Sequence, residues 1–230
     1  MTIILNKLQQ GSPEWILERV GNITMSNAKA MLTGGKGLTR KSYLISVASE
    51  IITGVPAETY KSWMMERGNI LEPFAHKAYE KKTGNRMFSV GLGYLDEKRR
   101  ISASPDGINH LCGAEIKCQL PKNHLATLVN GVNPKEFGDQ MQGCMWVFER
   151  DSWDYVSYCP EFDDNPIFIH TVYRDDEVIK RLEESCLRGA EEIDGMVKTG
   201  IGKASSELKG ISKLALETVE SFRNVEPEFI

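Results

Sequence analysis

No stretch of the sequence approaches the ~20 consecutive apolar residues that a bilayer-spanning helix requires. The opening, MTIILNKLQQGSPEW, has too short an apolar stretch and no small-residue cleavage site, so no signal peptide is expected. Cysteine is scarce and scattered, with five residues, Cys112, Cys118, Cys144, Cys159 and Cys186, and no CxxC among them. An odd number without grouping argues against a disulfide framework and fits free thiols in a reducing cytoplasm. A structural zinc site needs four closely spaced ligands, and an iron–sulfur centre needs four grouped cysteines. Neither pattern is present. His76, His110, His124 and His170 are dispersed and form no HxxxH or His–Cys cluster, so no ligand role is assigned to them. There is no internal repeat, low-complexity tract or long linker. TGGKGLTRKS at 33–42 is Gly-rich and basic, but it lacks the GK-[ST] order of a P-loop and follows a helix instead of a strand. It reads as a mobile basic loop that touches a DNA backbone, or as a plain helix linker.

What is present is an ordinary globular composition, 41% hydrophobic over 230 residues, enough for a buried core in one domain or two small ones. The net charge of −4 is unevenly distributed. Residues 1–100 carry 15 Lys and Arg against 9 Asp and Glu, a balance of +6, and residues 101–230 carry 13 against 23, a balance of −10. A basic first half beside an acidic second half fits a protein that grips a polyanion on one face. It fits equally two oppositely charged surfaces that aid solubility.

The first half reads as helical. MSNAKAMLTGG starts at a capping Thr24 or Ser26 and stops at Gly34 and Gly35. LTRKSYLISVASEIITG has a Thr39 cap, helical spacing and a terminal Gly54. SWMMERGNILEPFAHKAYEKKTG is a third helix, in which Pro73 predicts a kink or break beside Glu72. The period then changes. RMFSVGLGYLD, RRISASPDGIN and AEIKCQ read as strands, PKEFGDQMQGCMWVFERD as a helix, WDYVSYCP and IFIHTVYRD as strands, and the chain from Asp175 as one or two helices. That order predicts a single α/β domain over 1–230 with a central mixed sheet flanked by helices. It divides into a basic helical part (1–85), a catalytic sheet with its helices (86–175) and C-terminal helices (176–230). The amphipathic SSELKGISKLALETVESFRN near the end packs on its own domain or serves as a subunit or partner contact.

The stretch SASPDGINHLCGAEIKC, residues 102–118, carries the chemistry. Strand residues two apart share a face, so Glu115 and Lys117 project together, and a hairpin brings Asp106 opposite Glu115. Two carboxylates on adjacent strands suit Mg²⁺, which prefers oxygen ligands and retains several waters. A lysine beside them can orient or deprotonate the attacking water of a phosphodiester cleavage. An ExK triplet alone recurs by chance. Its weight here comes from an apolar strand context, a Pro-Asp at hairpin distance and Glu72 upstream. The alternative is an exposed cross-strand ion pair on an edge strand.

SPDG…EIKC resembles the PD-(D/E)xK nuclease superfamily with its restriction-endonuclease-like core, and more closely the lambda exonuclease family of phage recombination nucleases. ERVGNITMSN at 18–27 resembles that family's R-x-G-x-I-T-x-S segment, RGNILEPFAHKAYEKKTG at 67–84 its Gly-x-x-x-Glu helix, and DQMQGCMWV at 139–147 its Gln-x-Gln helix. The motifs occur in family order and span about residues 8 to 160. The resemblance implies that Asp106, Glu115 and the Ile116 carbonyl ligate Mg²⁺, for which Mn²⁺ substitutes, with two ions per site. Glu72 would join the cluster directly or through water, Lys117 would position the attacking water, and Gln140 would sit beside the metals and Lys117. Arg19, Ser26 and Ser104 would hold the 5′-phosphate, a role to which a helix-start Ser26 and a bidentate Arg19 are suited. Met64 and Met65 fall where the family has an apolar wedge that splits the DNA end, although a methionine pair also serves as core filler. The implied activity is 5′–3′ digestion of one strand of duplex DNA from its ends, leaving 3′ single strands. The implied partners are a single-strand annealing protein and two further copies in a ring-shaped homotrimer, within a bacterial cell hosting a phage or prophage. A PD-(D/E)xK endonuclease and a catalytically silent DNA-end-binding protein are the competing readings.

Overall fold

Pro105 divides what reads in the sequence as one strand. Proline has no N–H to give a ladder, so pairing stops around it. In the computed structural model of the protein, which describes residues 2–5, 7–33, 38–57 and 63–200 with the single positions 213, 215 and 217, the chain changes sheets at this point.

The described elements begin with β1 (Ile3–Leu5), α1 (Pro13–Glu18), β2 (Ile23–Thr24), a 3-10 turn (Met25–Asn27) and α2 (Ala28–Leu32). Two long helices follow, α3 (Leu38–Thr53) and α4 (Trp63–Thr83), and then β3 (Leu92–Tyr94), β4 (Ile101–Ala103), β5 (Gly107–Ile108) and β6 (Gly113–Cys118). Helices α5 (Pro121–Asn130) and α6 (Pro134–Phe148), strands β7 (Ser152–Tyr158) and β8 (Ile167–Tyr173), and α7 (Asp176–Gly200) complete the order. The class is α/β, with mixed sheets flanked by helices, as the sequence predicts. The strands form two four-stranded sheets, not one: β1-β3-β4-β2 and β5-β6-β7-β8. In the first only the β2–β4 pair is parallel, and in the second only β6–β7. An isolated antiparallel bridge joins Phe88 to Ile108. The turn around Pro105 is held by Gln10, whose side-chain amide donates to the carbonyls of Pro105 (2.7 Å) and Val90 (2.9 Å).

Strand β6 is covered on both faces. Ala114 and Ile116 pack with Ala75 and Tyr79 of α4 and Val156 of β7. The larger core gathers Met141, Cys144 and Met145 of α6, Trp153 and Tyr155 of β7, and residues of α2, α3 and α7. From α7 come Ile179, Leu182, Cys186 and Ile193, all buried. Arg40 of α3, only 3% exposed, makes a bidentate pair with Glu192 at 3.0 Å and fastens α3 to α7.

Several expectations change in detail. No break occurs at Pro73: α4 runs through it. The proline removes one helix bond, that to the Asn69 carbonyl. The half that follows is held by burial of Ala75 and Tyr79, by the Tyr79 hydroxyl donating to Asp154 (2.6 Å), and by Lys82 donating to the Ile167 carbonyl (2.8 Å). The segment after Thr24 opens as a 3-10 turn without a side-chain cap, and α2 stops at Leu32. Thr39 lies inside the first turn of α3, not at its cap, while Gly54 ends that helix with φ +69° and its N–H on the Glu50 carbonyl (2.7 Å). Gly34, Gly35 and the centre of the basic loop lie outside the described residues. So does all of the amphipathic 205–224 stretch except positions 213, 215 and 217. The chain divides into two compact units, Met1–Val197 and Lys198–Ile230, so α7 belongs almost entirely to the first.

Gly113 opens β6 directly against the buried Trp153 ring, which a Cβ at this position would strike at three carbons. Neither group can move without disturbing the hairpin that carries Glu115. Gly113→Ala is expected to destabilise the protein by about 1–3 kcal/mol through overpacking. The entropy gained from losing a glycine offsets only ~0.4–1 kcal/mol of that. Thermal unfolding should record a Tm lower by roughly 2–10 °C; an unchanged Tm would show that the ring moves freely.

Candidate active site

The centre follows from the unequal lengths of β5 and β6. The antiparallel register pairs Gly107 with Ala114 and Ile108 with Gly113, and continued one step it sets Asp106 opposite Glu115. There β5 has ended, so the Ile116 N–H has no strand carbonyl to meet on that side. The Asp106 carboxylate takes it instead, with Ile116 N donating to Oδ2 at 2.6 Å. The N–H and C=O of one strand residue point to the same edge, so the Ile116 carbonyl faces the edge where Asp106 sits. Alternation turns Ala114 and Ile116 toward α4 and sends Glu115 and Lys117 to the other face. Glu115, 1% exposed, accepts from Lys117 Nζ on Oε1 (2.5 Å) and from Gln140 Nε2 of α6 on Oε2 (2.7 Å). Both oxygens of a buried carboxylate are thereby satisfied. The exposed edge-strand pair is excluded, because β6 lies inside its sheet and Glu115 is buried.

A cleft of about 390 Å³ opens over this hairpin. Met64, Met65, Gly68, Asn69 and Glu72 of α4 form one wall, and Asp106 with Ile116–Gln119 forms the other. Gly68 and Glu72 are one turn apart on the same helix face, and the absent side chain at Gly68 leaves room. Charge in the cleft is unbalanced, with Glu72, Asp106 and Glu115 against one ammonium. Burial pushes the Asp106 carboxyl well above the usual range, and Glu115 and Glu72 push it further. Glu72 is raised by burial and then by Glu115. For Lys117, burial works to lower the pKa, but Glu115 and Asp106 outweigh it and hold the ammonium protonated, above its ordinary value. In this arrangement Lys117 is a donor and a positive charge, not a base.

Among the described residues no three His, Cys, Asp or Glu side chains converge into a ready metal cage. Mg²⁺ does not need one, since it is held by one or two carboxylates with waters and substrate phosphates completing its shell. Two carboxylates and a carbonyl on one edge, with more negative charge than Lys117 balances, fit such an ion. The thiols do not contribute ligands. All five cysteines are free, and burial raises Cys118, which lines the cleft, to about 12. Burial raises Cys144 well above its ordinary value.

Arg19 and Ser26 meet beside the other sheet, and Ser104 follows its strand β4. Arg19 closes α1, which is anchored by the Trp15 indole donating to the Gly91 carbonyl (2.7 Å). Its guanidinium stacks over the Trp15 ring at 4.0 Å and donates to Ser26 Oγ at 3.4 Å. Ser26 is not a helix cap: it sits within the 3-10 turn, and its hydroxyl pairs with Thr24 Oγ1 at 3.0 Å. The parallel register of β2 and β4 joins Thr24 to Ser102, after which one chain enters the 3-10 turn that holds Ser26 and the other runs on to Ser104. Ser104 Oγ is buried without a protein partner. It stands two residues from Asp106, across the Pro105 turn.

Three further residues belong to the site. Phe137 of α6 lies under the Lys117 ammonium (5.3 Å from the ring centroid) and stacks on Tyr155 (5.3 Å, 26°). Arg67 of α4 donates to the carbonyls of Cys118 (3.0 Å) and Gln119 (3.1 Å) and forks onto Glu161 (2.7 and 2.8 Å). It thus ties the helix bearing Glu72 to the strand bearing Lys117. His76, one turn after Glu72, reaches to 3.9 Å from that carboxylate, and its Nε2 is buried without a partner. Burial lowers its pKa, so this is a contact of a neutral ring, not an ion pair. The i, i+4 spacing of Glu72 and His76 and the Arg67 of the RGNILE motif are visible in the sequence. Nothing local singles out Phe137. Of the two glutamines in DQMQG, Gln140 reaches Glu115, whereas Gln142 is buried against the Tyr173 carbonyl (2.8 Å) and the Asp175 N–H (2.9 Å).

No curated protein sequence matches the chain. Among solved structures, the alkaline exonuclease LHK-Exo of Laribacter hongkongensis superimposes with a TM-score of 0.74 at 28% identity, covering 88% of this chain and 100% of that one. LHK-Exo in complex with dAMP gives a TM-score of 0.75 at 29% identity, covering 82% and 95%. A phage-related exonuclease of Haemophilus somnus shares the fold, with a TM-score of 0.61 at 17% identity, covering 77% and 96%. Residues 14–151 match the YqaJ-like viral recombinase domain, from α1 through the β5–β6 hairpin to the end of α6. The match takes in more than half of the chain, and the chain belongs to this lambda-exonuclease-like family of viral recombinases.

Proposed function

We propose that the protein is a Mg²⁺-dependent exonuclease that digests one strand of duplex DNA from its 5′ end and leaves 3′ single strands for phage-type recombination. The observation that carries this reading is one hairpin bearing Asp106, Glu115 and Lys117, with Gln140 of α6 bonded to Glu115 and with Asp106 and Lys117 lining the cleft. The family and the likeness to an alkaline exonuclease support it. So does dAMP in one relative, a mononucleotide of the kind that stepwise digestion releases. The expected surroundings are duplex ends as substrate, a single-strand annealing protein as partner and a homotrimer as assembly. Mn²⁺ would serve in place of Mg²⁺, with two ions per site.

Asp106, Glu115 and the Ile116 carbonyl would hold the metal, with Glu72 joining directly or through water. Bound there, Mg²⁺ would activate the attacking water and neutralise charge on the phosphate being cleaved. The protonated Lys117 donates to Glu115, and in the reaction it orients the water and faces the developing negative charge. Gln140 holds the second oxygen of Glu115 and so fixes the carboxylate plane. Arg19, Ser26 and the unpartnered Ser104 hydroxyl would hold the terminal phosphate, so that each cut presents a new phosphate at a constant distance from the hairpin. Met64 and Met65, more than half exposed on the cleft wall, are suited to wedge the end apart.

Linear and covalently closed circular duplex compared with and without Mg²⁺ tests the activity. Mononucleotides should be released from 5′ ends of linear DNA only, and only with metal. Cutting of closed circles would replace the exonuclease with an endonuclease.

The hairpin residues should separate by role. Lys117→Ala should lower turnover by at least ~10²-fold while calorimetry still finds Mg²⁺ or Mn²⁺ binding. Asp106→Asn and Glu115→Gln should lose both, because a neutral amide is a poor ligand for a hard cation. Unaltered metal affinity in the two amide variants would reduce the hairpin to a structural ion pair.

If the Arg19 cluster anchors the phosphate, 5′-phosphorylated ends should be digested faster than 5′-hydroxyl ends. A charge-assisted contact is worth roughly 1.5–3 kcal/mol, so Arg19→Ala should slow phosphorylated ends by about tenfold to a hundredfold. Hydroxyl ends should change far less, and the gap between the substrates should narrow. Equal slowing on both would make Arg19 a general backbone contact.

A further inference from the structure

A second groove, about 480 Å³, lies beyond the catalytic hairpin and is used by none of the roles above. It shares Gln119 with the first cleft. Phe137, whose ring supports the Lys117 ammonium, closes its inner end together with Tyr155, and Gln119 Nε2 donates to the Tyr155 hydroxyl at 3.2 Å. The outer wall is α5. That helix is fixed in rotation by the buried His124, whose ring nitrogens pair with Ser157 Oγ (2.7 Å) and the Asn165 carbonyl (2.9 Å). With His124 turned inward, Asn123, Thr127 and Asn130, at helical spacing, form one face and line the groove.

The chemistry of this wall is unusual for a chain that is 26% charged: among the described residues, none that lines the groove carries a charge. A phosphate subsite would need cations, and a metal site would need carboxylates. Amides at Gln119, Asn123 and Asn130 offer donors and acceptors together, and either end can be presented by rotating the group. Beside an apolar end at Phe137 and Tyr155, this arrangement suits a flat heterocycle with mixed hydrogen-bonding edges. It does not select one edge pattern over another. The volume is within the range of small-ligand sites, about 300–1,000 Å³.

The geometry points to a nucleobase subsite: the groove holds the unpaired base of a nucleotide flanking the cleaved phosphate, for any of the four bases. This deepens the exonuclease reading and rests on it. An enzyme that removes nucleotides from an end must accept every base in turn. A groove that grips the base without reading it keeps the backbone in register over Lys117 at each step.

The test fills the groove from its rim. Ala126 is exposed on α5, so Ala126→Phe occupies the groove without entering the core, and Asn130→Ala removes an amide without adding bulk. Each is compared with wild type on 5′-phosphorylated duplexes that are intact or carry one abasic residue at the first or second position of the digested strand. Loss of one or two neutral hydrogen bonds should raise KM on intact DNA by about two- to tenfold. Because the base contact is the same before and during cleavage, kcat should change by less than about twofold. An abasic residue at one of the two positions should erase the difference between variant and wild type. Equal defects on intact and abasic DNA, or no defect in either variant, overturn the subsite. The same substrates are also compared by equilibrium binding in Ca²⁺, where no cleavage is needed. Discrimination between intact and abasic DNA that disappears in Ala126→Phe supports the subsite, and its absence in wild type overturns it. A protein that binds in this way yet never cleaves linear DNA with Mg²⁺ would sink the exonuclease reading alone.

Discussion

A single backbone donor organises the catalytic region. Strand β5 stops at Gly107, two residues short of the position opposite Ile116, and an unmet buried donor costs about 1–3 kcal/mol. Asp106 satisfies it at 2.6 Å. That bond holds one carboxylate at the open edge of β6, on the side to which the Ile116 carbonyl also points. The alternation of β6 then buries Glu115 on one face while Ile116 packs toward α4 on the other. Had β5 run two residues further, a strand carbonyl would have taken the Ile116 N–H and covered the edge. The shortness of β5 in turn follows from Pro105, where the chain leaves one sheet for the other.

The same crossing links the two candidate anchoring points for a DNA end. Ser104 directly follows β4, and Asp106 directly precedes β5. Only Pro105 stands between them, and Gln10 holds its carbonyl. Ser104 and Asp106 cannot drift apart, because their spacing is set by covalent geometry and not by packing between distant helices. By contrast, Glu72 comes from α4, and its position depends on side-chain fastening. Arg67 on the carbonyls after Lys117 and Tyr79 on Asp154 hold that helix to β6 and β7, on either side of Glu72 along the chain. This accounts for a helix that tolerates Gly68 and Pro73 next to its functional residue.

The carboxylate–lysine hairpin was legible in the sequence because it is local: Asp106, Glu115 and Lys117 lie within twelve residues and obey the period of a strand. Family motifs extended the reading to Glu72, Gln140, Arg19, Ser26 and Ser104, of which Gln140 bonds Glu115, Glu72 lines the cleft and Arg19 bonds Ser26. Other features left no such mark. β1 and β2 are two or three residues long, too short to show a period. α5 was passed over because its apolar residues form no buried stripe: Leu125 and Val129 are exposed, and its groove-facing Asn123, Thr127 and Asn130 are polar. Phe137 looked like any core aromatic, since its contact with Lys117 depends on how α6 crosses β6. The continuity of α4 through Pro73 was misjudged because the bonds that offset the lost helix bond are tertiary. The helix-cap reading of Ser26 failed for a related reason, since Arg19 and Thr24 claim the hydroxyl that a cap would use.

Charge explains why the two grooves beside Lys117 differ. The first gathers carboxylates whose mutual repulsion, with burial, raises Asp106 and Glu72, so it favours a cation and, through it, phosphate. The described residues of the second carry no formal charge and so offer a phosphate no electrostatic gain. A nucleotide has both kinds of surface, an anionic backbone and a neutral, edge-polar base. Two adjoining grooves of opposite electrostatic character, divided by Lys117 and Gln119, match those two surfaces in one step. Among the described residues lining either groove, Lys117 supplies the only positive charge, and the Phe137 ring beneath it limits where that charge can sit. The ammonium is thereby confined to the boundary at which backbone and base diverge, where the scissile phosphate would lie.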